Sequence, residues 1–171
     1  MKFTKLKYNI LQKKFNKSLL NSIETRKISQ KKIVTVGIIS TEDITSKIPI
    51  LDIVEEALEL RNLKIYSYRK FNKHNKYSYK HFSESDLNWK GAYIQQSFKS
   101  FLEQPFDLLI GYFNQPNLYA ENAVLQSQAT FKVGFSKVNS SLFDIEISED
   151  IANVDQFILE LKKYLQILKK L

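Results

Sequence analysis

The chain has 171 residues, with 26 Lys or Arg against 18 Asp or Glu, a formal net charge of +8 and no cysteine. Such a length suits one domain that buries roughly two-thirds of its unfolded surface. The lack of cysteine excludes disulfides, thiolate catalysis and cysteine-ligated metals and fits a reducing compartment, and no apolar run approaches the roughly 18 residues that a membrane span needs.

The N-terminal "MKFTKLKYNILQKKFNKSLL" is basic and lacks a continuous apolar core, which argues against a secretory leader and for a cytoplasmic protein. Residues 1–32 carry ten Lys or Arg and one acid, Glu24, so they hold +9 and the remaining 139 residues hold −1. Lys outnumbers Arg 23 to 3, as A/T-biased codons would produce. Codon bias does not segregate charge along a chain, so the asymmetry is the informative feature.

From Phe3 to about Asn21, Tyr8, Leu11, Phe15 and Leu19 recur at helical spacing, with Lys5, Lys13 and Lys17 largely on other faces. Residues 22–32 read as a polar connector, giving an N-terminal arm at 1–32 and a body at 33–171. "IVTVGIIS" (33–40) is apolar nearly throughout, the pattern of a strand buried on both faces. After the loop "TEDITSK", Pro49 suits the first turn of a helix to about Arg61 that buries Leu51, Val54 and Leu58. "LKIYSY" is a second strand, and strand–helix–strand predicts a right-handed parallel crossover.

A basic, aromatic stretch follows: residues 61–82 hold seven Lys or Arg and no acid. Further on, a helix over 92–103 is expected to pack Tyr93, Ile94, Phe98, Phe101 and Leu102. "FDLLIGYF" (106–113) reads as the third strand, 118–128 as a short helix and "FKVGF" (131–135) as the fourth strand. "SKVNSS" reads as a turn that sends "LFDIEI" back antiparallel as a fifth strand. The closing helix has Asn153 and Gln156 at capping-box spacing, with Val154, Phe157, Leu161, Leu165 and Leu168 as its buried stripe. The expected fold is a layered α/β domain: a mixed, mainly parallel sheet of about five strands, helices on both faces, and a basic N-terminal helix.

"DLNWKG", "FDLLIGYF", "SQATFKVGF", "FDIEI" and "FILELKKYLQILKKL" together resemble an uncharacterised family of short α/β proteins from Bacteroidota, a domain of unknown function with a Lys-rich N-terminal helix. The resemblance covers most of the chain. It implies the α/β fold and a cytoplasmic location, and it transfers no activity.

For chemistry the residues offer little. The two histidines, His74 and His81, lie in the basic stretch with no acid nearby in sequence to orient an imidazole, so a Ser–His–acid site is disfavoured. Two histidines seven apart and no cysteine pair do not make a metal ligand set, and no cofactor is implied. The first strand–helix turn, "ISTEDITSK", has no glycine for a pyrophosphate, and no P-loop is present. Fold analogy alone leaves a ligand pocket at the strand ends, using Ser40, Thr41, Arg69 and Asn114, suited to a phosphorylated small molecule.

Two basic surfaces remain. In the first, Arg69, Lys70, Lys73, Lys76 and Lys80 interleave with Tyr66, Tyr68, Phe71, Tyr77, Tyr79 and Phe82. That pattern gives phosphate attraction and stacking faces for unpaired bases, although about half of the rings are expected to be structural. The second is the N-terminal helix, with Lys5, Lys7, Lys13, Lys14 and Lys17. It can lie on RNA, rest on an anionic membrane surface, or dock on the body. The expectation is a non-enzymatic protein that binds RNA or a ribonucleoprotein such as the ribosome, with a phosphorylated-ligand or enzymatic α/β domain and a membrane-peripheral adaptor as alternatives. Oligomeric state is not legible.

Overall fold

The computed structural model describes residues 2–27, 29–76 and 78–171, with side chains from Lys5 onward. Helix α1 (Lys2–Thr25) leads into β1 (Thr35–Thr41), the single turn α2 (Glu42–Thr45), α3 (Ile50–Leu58) and β2 (Asn62–Tyr68). Next come β3 (His81–Phe82), α4 (Gln96–Glu103), β4 (Leu108–Tyr112), α5 (Leu118–Gln126), β5 (Lys132–Phe135), β6 (Ile145–Ile147) and α6 (Val154–Ile167).

The strands form one sheet in the order β3-β2-β1-β4-β5-β6, and every neighbouring pair is parallel. Ile38 pairs with Ile65 on one side and with Ile110 on the other. Ile38 and Ile110 on one face and Ile39 and Leu109 on the other are all fully buried, so the centre of the sheet is apolar on both faces. The chain grows outward from β1 in two directions, and right-handed crossovers therefore put α3 and α5 on opposite faces. Alternation along β2 agrees: Ile65 borders a groove with Ile48 and Ile50, while Tyr66 lies 4.9 Å from both the Phe98 and Phe101 rings of α4. Helices α2, α3 and α6 cover one face, and α1, α4 and α5 the other.

Several expectations change. The sheet has six strands rather than about five, because His81–Phe82 adds an edge strand beside Ser67 and Tyr68. The expected turn back after β5 is instead a parallel crossover, so the sheet is not mixed. Only nine residues separate β5 from β6, fewer than the dozen or so a parallel connection usually takes. Two glycines make it feasible. Gly111 and Gly134 are register partners, and the Phe143 ring lies where their Cβ atoms would be, so the short crossover presses directly onto the sheet.

Other changes are local. The 92–103 helix begins only at Gln96, with Tyr93 bridged to Leu87 and Ile94 exposed. In α3, Ile50 is buried with Val54 and Leu58, and Leu51 only partly. In α6, Asn153 makes no side-chain cap, Ile158 joins the buried stripe, and Leu168 is exposed at the C-cap.

Helix α1 packs on α5, burying Leu11, Phe15 and Leu19 in the same hydrophobic cluster as the strands. Burial of such side chains stabilises by roughly 1.5–3 kcal/mol each. Tyr8, on the same side, stays partly exposed, edge-on to Tyr119. The connector is tied down too. The Arg26 guanidinium donates to the Ser141 and Phe143 carbonyls beside Asp144, and the Lys170 ammonium donates to the Ser29 carbonyl over the Phe131 ring. No helix among the described residues is long and apolar enough to cross a membrane.

Candidate nucleic-acid interface

Docking through Leu11, Phe15 and Leu19 turns the opposite side of α1 to solvent. Lys5, Lys13, Lys14 and Lys17 are exposed there, and Lys7 is half-buried. Lys7 donates to the Glu84 carbonyl (3.3 Å) and to that of Leu87, and Lys14 donates to the Trp89 carbonyl (3.3 Å). Two of the five lysines therefore also tether the helix to the 84–89 segment.

The second surface is the loop between β2 and β3. It closes on itself: Arg69 N–H donates to the Phe82 carbonyl, the Arg69 guanidinium to the Lys76 carbonyl, and Asn75 to the backbone of Lys70 and Asn72. Lys70, Lys73, Lys76 and Lys80 are exposed along it. Among the described residues, none of these four lysines, nor Lys5, Lys13 or Lys17, is paired with a carboxylate.

The interleaved aromatics divide. Tyr66 and Phe82 are core residues, with Phe82 stacked on Phe98 at 4.1 Å. Tyr68 stacks on Tyr119 at 5.3 Å and donates its hydroxyl to Glu84, and burial, with Glu84 beside it, pushes its ionisation far up. Phe71 and Tyr79 are exposed, at 56% and 72%. Tyr77 lies outside the described residues.

Glu84 joins the two surfaces. Its carbonyl accepts from Lys7 of α1, and its carboxylate accepts from the Phe71 N–H of the loop (3.1 Å) and from the Tyr68 hydroxyl (2.9 Å). The turn that carries Glu84 is fixed by a reciprocal cap between Ser83 and Asp86. Next to it, Ser85 borders two cavities, one of about 240 Å³ against α1 and one of about 180 Å³ inside the basic loop.

At the carboxyl ends of the strands the order reverses between β1 and β4, the usual place for a ligand crevice in an open parallel sheet. Of the residues expected to form a pocket here, Ser40, Thr41 and Asn114 differ in exposure. Ser40 is fully buried and donates to the Tyr112 carbonyl (2.7 Å). Thr41 accepts from the Thr45 hydroxyl through its carbonyl, and Asn114 is half-exposed after β4.

The charged groups at this edge gather one strand further out. Register pairs Thr41 with Tyr68, so Glu42 lies beside Arg69, with its carboxylate 3.7 Å from both the Arg69 guanidinium and His81 Nε2. His81 Nδ1 lies 2.7 Å from the Ser78 hydroxyl. The expectation that no acid is available to orient a histidine, read from the neighbouring sequence, is thus corrected, because Glu42 arrives from a different strand end. Burial, reinforced by Arg69 and Lys80 against Glu42, holds the His81 imidazole below its usual pKa. The set is still not a catalytic triad: 3.7 Å exceeds a hydrogen bond, Glu42 is shared with Arg69, and Ser78 Oγ already accepts from Lys80 N–H within its own turn. No cluster of three or more His, Cys, Asp or Glu among the described residues is placed to hold a metal.

A family model described as a family of unknown function (DUF6913) matches residues 7–168, spanning α1 and the sheet alike. Neither a curated protein nor a solved structure matches the chain.

Proposed function

We propose that this chain, which belongs to that family of unknown function, is a non-enzymatic cytoplasmic protein that binds RNA or a ribonucleoprotein, with the ribosome as the first candidate. The observation that carries the reading is the continuity of the two lysine surfaces through Glu84, with seven of their lysines paired with no carboxylate among the described residues. Lysines free of carboxylates attract phosphates without sequence preference, and Phe71 and Tyr79 offer exposed rings beside them. Lysine rather than arginine at these positions favours backbone attraction over base-specific readout.

The test is co-sedimentation of the full chain with ribosomes at 50 and 200 mM salt, together with a Lys5→Glu, Lys13→Glu, Lys17→Glu variant. Deleting residues 1–32 is not a clean test, since it would also remove Leu11, Phe15 and Leu19 from the core. With six to ten phosphate contacts, affinity should fall about 10³- to 10⁵-fold over that salt range, and charge reversal should weaken it further. A chain that stays unbound at both salts rules the ribosome out. Binding to anionic vesicles alone would point instead to the exposed Leu6, Leu20 and Ile23 and a membrane-peripheral role.

A second reading rests on the Glu42–Arg69–His81 group, which lies at the carboxyl ends of the strands one strand out from the β1/β4 switch point and offers a guanidinium to a small phosphorylated ligand. A shift of the His81 ring resonances on titration with inorganic phosphate, lost in Arg69→Gln, would favour it.

A further inference from the structure

We propose that the cavity between α1 and the 84–91 segment takes one unpaired nucleobase of a bound RNA strand; this rests on the RNA-binding reading and names how the strand is held. The cavity, about 240 Å³, lies where the two lysine surfaces meet, below the roughly 300 Å³ at which drug-sized sites begin. It has room for a single ring system.

Its walls suit a flat ring. Tyr8, Trp89 and Tyr119 present aromatic faces or edges, and Leu11 and Leu87 complete the apolar lining. Tyr8 and Trp89 remain 38% and 54% exposed, although both border a concave site. Gly91 keeps the space open: its φ of +77° disfavours any side chain, and a Cβ there would come within 3.1 Å of Leu11.

The polar groups at the edge of the cavity match a base. Asn88 Oδ1 is occupied by the N–H groups of Lys90 and Ala92, so Nδ2 is the group left to donate to a ring nitrogen or carbonyl. Lys7 uses two of its three protons on the Glu84 and Leu87 carbonyls and keeps the third for a base oxygen or a phosphate. Charge selects the occupant. An aromatic side chain of a partner protein would fit the same walls, but Lys7 lines the cavity, Lys14 donates to the Trp89 carbonyl at its rim, and the adjoining cavity across Ser85 is bordered by Arg69, Lys70 and Lys76, a set of cations complementary to a polyanion. Every base has a π face, so such a site holds a strand without reading its sequence.

Trp89 is the chain's only tryptophan and borders the cavity, so its emission reports occupancy directly. The experiment compares a labelled single-stranded RNA octamer with a base-free ribose-phosphate octamer at 50 mM salt, by anisotropy and by Trp89 emission, on the full chain. The RNA should bind about 5- to 100-fold tighter than the base-free chain and change Trp89 emission. Tyr8→Ala should remove most of that difference and Tyr8→Phe should keep it, while neither alters affinity for the base-free chain. Because Tyr8 is partly exposed, its loss should leave the fold intact, as an unchanged thermal midpoint would verify. Equal binding of the two octamers with unchanged Trp89 emission would overturn the base site and leave polyanion binding standing. Failure of both octamers to bind would overturn the RNA-binding reading itself, and the base site with it.

Discussion

Outside the sheet, helices α2, α3 and α6 carry seven carboxylates and two lysines, whereas α1, α4 and α5 carry seven lysines and three carboxylates. Beneath both sets lies the same apolar interior, Val36, Ile38, Leu108 and Ile110 toward one face and Ile39, Tyr66 and Leu109 toward the other. Packing therefore does not require the charge difference. In α1 the arrangement even opposes the helix: its lysines crowd the amino-terminal half, where the helix dipole disfavours cations, and Lys13 and Lys17 repel at i,i+4. Burial of Leu11, Phe15 and Leu19 offsets that cost. A molecule polarised in this way carries potentials of opposite sign on its two faces.

The largest expected effect tests whether the basic face is part of the folded body. Phe15→Ala should cost about 3–5 kcal/mol in urea unfolding, as for any large core residue. A loss below about 0.5 kcal/mol, the range of surface substitutions, would make α1 an appended arm and dissolve the comparison.

Next in size is an exchange of charges between faces. Lys5→Glu with Lys13→Glu and Lys17→Glu should lower the log–log salt slope of single-stranded RNA binding by about 2, at roughly 0.7 for each phosphate no longer neutralised. Asp52→Lys with Glu56→Lys, on the exposed side of α3, should leave the slope as it is. Both variants should keep stability within about 0.5 kcal/mol of the parent. Equal slopes in all three proteins would mean that the polarity of the faces plays no part in binding.

How far these faces are legible in the sequence depends on the length of the element. β1, β4 and α6 announce themselves, the strands by apolar runs and the helix by a clear stripe at Phe157, Leu161 and Leu165. β3 and β6, of two and three residues, are too short to show any period. The direction of β6 turns on where Phe143 packs, against Gly111 and Gly134 on distant stretches of chain. The lysines of both basic surfaces could be named from the sequence, but not the Glu84 bridge between them. Likewise Glu42 meets His81 only through the register of β1, β2 and β3, so two residues 39 positions apart gave no local signal.

A smaller effect concerns how the basic face is closed from within. Lys132 points its ammonium at the end of α5, donating to the Val124 (2.7 Å) and Ser127 (2.9 Å) carbonyls, and burial, with Arg26 beside it, lowers it to about 8. The unfolded chain keeps that proton to about pH 10.4, so between pH 8 and 10 the unfolded state binds more protons and stability should rise with pH. Lys132→Met should flatten the rise in urea midpoints. Above pH 10 the trend should reverse, because burial pushes the Tyr112 hydroxyl up to about 12 while the unfolded tyrosine ionises near 10.

The smallest expected effect lies on the border between the faces, where His81 stands between Glu42 after β1 and the cations Arg69 and Lys80 of the basic loop. Its pKa is held down in the folded state, first by burial and then by Arg69, with Glu42 opposing. As pH falls below about 6.5 the unfolded chain takes up a proton that the folded one refuses, so stability should decline from pH 7.5 to 5.5. His81→Gln should reduce that decline. The neighbours then separate by sign. Arg69→Gln should raise the His81 pKa followed by NMR titration, whereas Glu42→Gln should lower it further. If both substitutions move the pKa the same way, the two charges do not compete at His81, and the border between the faces lies elsewhere.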